Sequence, residues 1–105
     1  MNTEAALAQF IVSAQAMLDE YMAKRFAILG RKLLTVEKGR KYARVVVQYA
    51  DPRFGGRSVY CFVDLQTGAV LKAASWKAPA KHARGSIFAD NPLTGVNPYG
   101  ANYLV

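Results

Sequence analysis

Three runs in the middle of the chain, Tyr42–Tyr49, Ser58–Leu65 and Ala69–Lys77, alternate apolar and polar residues with a period of two. That period belongs to strands, whose side chains point to opposite faces in turn. One face collects Ala43, Val45, Val47, Tyr49, Val59, Cys61, Val63, Leu65, Leu71 and Ala73, which belong in a core. The other collects Tyr42, Arg44, Val46, Gln48, Ser58, Tyr60, Phe62, Asp64, Lys72, Ala74 and Trp76. The segment Asp64-Leu65-Gln66-Thr67-Gly68 separates two of the runs and reads as a hairpin turn. Leu33–Glu37 is a further short strand, joined to the first run by the basic turn Lys38-Gly39-Arg40-Lys41. The set predicts an antiparallel meander of three to five strands.

A sheet with one apolar face needs a cover. Residues 4–29 supply it. Leu7, Phe10, Ile11, Ala14, Met17, Leu18, Tyr21, Met22 and Ile28 recur at three- and four-residue spacing, which predicts an amphipathic helix. Thr3 is its expected N-cap and Gly30 its C-cap, with Lys24 and Arg25 suited to the last turn. A helix of this length leaves apolar surface beyond the sheet, which predicts a homodimer through the helix. The predicted fold is α+β: a long N-terminal helix on an antiparallel sheet. Residues 78–90 read as a basic loop with a short strand near Ser86-Ile87-Phe88. Residues 91–105 read as a loop-rich tail whose apolar end, from Ala101 to Val105, docks on the body.

The chain has 105 residues, so a single domain spanning 1–105 is expected, with a core that needs neither metal nor disulfide. Cys61 is the only cysteine, which rules out an internal disulfide and suggests a reducing, cytoplasmic setting. No apolar run approaches the roughly 20 residues of a membrane span, and the N-terminus does not read as a secretory signal. No membrane partner is expected.

All 14 Lys and Arg residues lie between Lys24 and Arg84, a span with only Glu37, Asp51 and Asp64 as acids. A basic centre that coincides with aromatic rings points to a polyanion partner. Rings stack unpaired bases, and cations hold phosphates. Tyr42, Tyr60, Phe62 and Trp76 are the expected stacking residues. Arg44, Lys72, Lys77, Lys81 and Arg84 are the expected phosphate contacts, with Lys38, Arg40 and Lys41 bordering the face. Exposed rings need splayed bases, so single-stranded DNA or RNA fits better than duplex. Catalysis is not expected. With His82 alone, no His-rich metal site or paired-His chemistry is possible, and no phosphate-loop or dinucleotide motif occurs. No cofactor or metal is expected.

The blocks Lys41-Tyr42-Ala43-Arg44-Val45-Val46, Ser58–Asp64, Thr67-Gly68, Lys72–Lys81 and Ala83–Phe88 resemble a family of small uncharacterised proteins of tailed phages and viral metagenomes. That resemblance implies a viral source, hence the host cytoplasm, more than an activity. In architecture alone, the expected helix and basic sheet face are similar to the PC4 and Whirly single-stranded DNA-binding proteins. In those folds the helix comes last, and here it comes first. Together these readings predict a phage protein that binds single-stranded nucleic acid, DNA ahead of RNA, with little sequence preference, in replication, recombination or transcription. The alternative is a small viral adaptor or inhibitor that docks on an acidic host protein.

Overall fold

A computed structural model describes residues 2–102. Helix α1 (Thr3–Arg25) is followed by a 3-10 turn at Ala27–Leu29. Five strands then form one sheet: β1 (Lys32–Lys38), β2 (Tyr42–Tyr49), β3 (Ser58–Asp64), β4 (Ala69–Leu71) and β5 (Gly85–Ser86). Their order in the sheet is their order in the chain, and every pair is antiparallel. The predicted α+β meander is therefore the fold. A small hairpin, β6 (Val96–Asn97) and β7 (Gly100–Ala101), follows within the stretch expected to be loop. The expected docking of the end is seen at Ala101, which is buried, while Tyr103, Leu104 and Val105 lie outside the described residues.

The helix is shorter than its periodic stripe. Asn2, not Thr3, is the N-cap: its side chain accepts from Ala5 N at 3.1 Å. The chain leaves the helix at Phe26, and Gly30 closes the 3-10 turn with a φ of 75°. Leu7, Phe10, Ala14, Leu18 and Met22 are the buried stripe, and the first four join the core. They meet Leu34, Ala43, Val45, Val47, Cys61, Val63 and Val70 from the sheet, with Ile87, Val96 and Ala101 closing the end. Gln15 ties the helix to the edge strand: it donates to Lys32 O at 2.8 Å and accepts from Leu34 N at 2.9 Å. Two backbone groups of β1 are thereby occupied, which blunts that edge.

Two departures change which residues face the helix. The first is a β-bulge. Val45 pairs with Cys61 and Val46 with Val59, so Tyr60 is an extra residue opposite no partner. Tyr60 and Cys61 both turn inward, and Val59, expected inside, crosses to the outer face with Val46. Tyr60 is buried, and its hydroxyl donates to Asn97 O at 2.7 Å. The second departure is in β4. Val70 pairs with Val63 in the core and Leu71 with Phe62 on the outer face, the reverse of the expected register. The strand ends at Leu71, and residues 72–80 leave the sheet as a loop closed by a bridge between Ala73 and Pro79. Ala80 N donates to Lys72 O at 2.7 Å, and Ala74 N and Ser75 N share Ala78 O. Trp76 is at the tip of this loop.

The hairpin turn at 64–68 matches its reading. Asp64 Oδ1 accepts from Gln66 N and Thr67 N, and Gly68 takes a φ of 78° that a side chain rarely adopts.

Candidate nucleic-acid interface

The register lines up one row across the outer face: Glu37, Arg44, Phe62 and Leu71 are successive partners on four strands. Cross-strand partners share a face, so these side chains are neighbours. Phe62 and Leu71 are buried although the helix lies on the other side. Arg44 is placed over them. Its guanidinium carbon is 5.9 Å from the Phe62 ring centroid and 4.9 Å from that of Trp76. Its Nε donates to the Trp76 carbonyl at 2.8 Å, which fastens the loop tip to the sheet. Tyr42 meets Phe62 edge-on at 6.3 Å between centroids.

Trp76 is 38% exposed. A second guanidinium, from Arg57, lies 5.3 Å from its centroid. Glu37 joins the two arginines: its Oε1 accepts from Arg44 Nη1 at 2.9 Å and its Oε2 from Arg57 Nη2 at 2.5 Å. The hydrogen bond from Arg57, then that from Arg44, holds the Glu37 carboxyl below the usual carboxylate range. Neither Glu37 nor Arg57 is among the residues expected to form the site. A tight turn at 38–41 aligns Glu37 with Arg44, so that pairing was legible. Arg57 reaches the same carboxylate only through the folded sheet.

Beside this cluster is a cleft of about 230 Å³. Lys38, Arg40, Lys41, Tyr42, Arg44, Phe62 and Lys77 line it, with Glu37 and Gly39. The cleft thus gathers seven of the twelve residues expected to form the site. Lys41 Nζ lies 5.3 Å from the Tyr42 ring centroid. Arg40, Lys41 and Lys77 are exposed and have no ion-pair partner among the described residues. Lys38 differs: its ammonium is 2.8 Å from Glu4 on the helix.

Four expected contacts are elsewhere. Tyr60 is in the core because of the bulge and presents no ring to a ligand. Lys72 follows Leu71 on the helix side of the sheet, where its Nζ donates to Ala101 O at 3.2 Å. Arg84 turns back on its own loop and donates through Nη1 to Lys81 O at 2.9 Å and His82 O at 2.6 Å. That loop includes His82 at a φ of 70°. Lys81 is exposed, but its segment leads into β5 at the far side of the sheet and does not line the cleft. Cys61 is fully buried, and desolvation pushes its thiol well above the usual range, away from the reactive thiolate.

The fold and this face define a small α+β protein with a cationic, aromatic sheet surface opposite its helix. The chain belongs to a family of unknown function (DUF7717), whose model matches residues 3–96. No curated protein and no solved structure matches it. No helix among the described residues is long and apolar enough to cross a membrane.

Proposed function

We propose that the outer sheet face binds single-stranded nucleic acid with little sequence preference. The observation that carries this reading is the adjacency of an exposed ring and unpaired cations. Trp76 is at the loop tip, and Arg44 is common to its contacts and to the cleft wall. Arg40, Lys41 and Lys77 hold the phosphates of a strand laid along the cleft, and an unstacked base lies on Trp76. Tyr42 adds a second ring at the cleft wall. A duplex keeps its bases stacked and offers neither ring a face. The viral setting is supported by the resemblance of residues 41–88 alone.

We also read α1 as a homodimer interface. Val12 on its outer side, and Phe26 and Ile28 just past its end, are exposed, Ile28 at 91%. In sedimentation equilibrium, Ile28→Glu is expected to shift a dimer toward monomer.

The test of the main reading is fluorescence anisotropy with a labelled 30-mer, single-stranded or duplex, at two salt concentrations. Single strands are expected to bind tighter, and to weaken by about 0.7 log units per log unit of salt for each phosphate neutralised. Absence of binding at low salt, or a preference for duplex, overturns the reading.

A further inference from the structure

We propose that Arg44 and Arg57 form a phosphate-binding fork that Glu37 occupies in the free protein, so that an incoming strand must displace the carboxylate. This rests on the nucleic-acid reading and names a regulated part of that same face. Glu37 presents two oxygens, and each takes one arginine, at 2.9 and 2.5 Å. The two non-bridging oxygens of a phosphodiester offer the same pattern of acceptors to the same donors. The fork is also placed to hold a nucleotide whose base stacks next to it, because both guanidiniums lie within 5.3 Å of the Trp76 centroid.

The arrangement permits exchange. Glu37 and Arg57 side chains are 40% and 46% exposed, so the pair is open to solvent. Arg44 keeps its bond to the Trp76 carbonyl whether or not Glu37 stays. The Glu37 carboxylate is the only hydrogen-bond acceptor of the Arg57 guanidinium among the described residues, so Arg57 is left for whichever anion arrives. Release of Glu37 is a side-chain rotation on edge strand β1 and leaves the ladder intact.

Substitution separates this gate from a structural brace. Glu37→Gln removes the charge and keeps an amide that still reaches an arginine. Both arginines meet one phosphodiester, and the wild type must leave a bare carboxylate beside it, so the variant gains about one net neutralised phosphate: the salt slope is expected to steepen by about 0.7, and affinity at 0.1 M salt to rise roughly 5-fold if binding converges near 1 M. Adding Arg57→Ala to Glu37→Gln should return the slope toward that of the wild type. Glu20→Gln, which changes net charge equally on the exposed side of α1, should do neither.

The experiment measures anisotropy of a labelled single-stranded 30-mer with these three variants and the wild type across salt, with thermal melts alongside. A folded Glu37→Gln protein that binds no tighter than a wild type that does bind overturns the gate alone and makes Glu37 a brace for the Trp76 loop. A gain equalled by Glu20→Gln also overturns it, as a general charge effect. If Glu37→Gln lowers the melting temperature below the assay range, Glu37→Ser serves in its place with the same expected gain. If neither wild type nor variant binds, the gate and the nucleic-acid reading fall together; binding by the variant alone supports the fork.

Discussion

On the helix side of the sheet, Ala43, Val45, Val63 and Val70 are sealed beneath a layer of apolar helix residues. On the other side Val46, Phe62 and Leu71 are almost as deeply buried, yet no helix covers them. Arg44 and the loop carrying Trp76 lie there instead. The first face is closed by side chains that have nothing else to offer. The second is closed by amphipathic ones, whose apolar parts cover the sheet while their charges and an indole face stay at the rim. A surface of the second kind can stabilise the fold and still present chemistry to a ligand.

The largest effect that should separate the faces is loss of core volume. Phe10→Ala deletes a fully buried ring and is expected to cost about 3–5 kcal/mol, seen as a lower denaturant midpoint. The folded fraction should bind oligonucleotide as the wild type does. If affinity of the folded fraction also collapses, the two faces are not independent. Next is Trp76→Ala, expected to weaken single-strand binding by about 1–3 kcal/mol with the salt slope unchanged. A fall in melting temperature with affinity intact would instead make Trp76 a lid on Phe62 and nothing more.

How far the two faces could be told apart from sequence depends on the strand. The bounds of β2 coincide with the Tyr42–Tyr49 run, and its alternation assigns Val45 inward and Arg44 outward as found. Tyr60 departs from its expected face because a bulge inserts one residue without interrupting the run of apolar letters; Val59-Tyr60-Cys61 reads the same with or without it. Lys72 departs from its expected face because the spacing of Lys72, Ala74 and Trp76 imitates a strand face, whereas the chain leaves the sheet after Leu71. The charge partners were not legible where they come from distant elements, as with Glu4 on Lys38. Local composition located the basic–aromatic face, and tertiary pairing decided which of its cations are already engaged.

Smaller effects test that division among the cations. Lys77→Ala and Lys41→Ala should each lower the magnitude of the salt slope by about 0.7 with little change in melting temperature. Arg84→Ala should do the opposite, lowering the melting temperature through loss of its bonds to Lys81 O and His82 O while leaving the slope alone. The smallest expected effect is that of Tyr60→Phe. It removes the hydroxyl that donates to Asn97 O, costing about 1 kcal/mol of stability and no affinity. Weaker binding by that variant would mean that Tyr60 turns outward and that the bulge is misplaced.

Trp76 is the only tryptophan, so emission excited at wavelengths beyond the tyrosine absorption band reports on the loop tip alone. Titrating the protein with unlabelled oligo-dT at low salt while following that emission shows whether a bound strand lies on Trp76. The expected result is saturable quenching with the same dissociation constant as anisotropy gives, reversed by added salt. Saturable binding by anisotropy with no change in Trp76 emission would contradict the account, because the strand would then lie on some other surface.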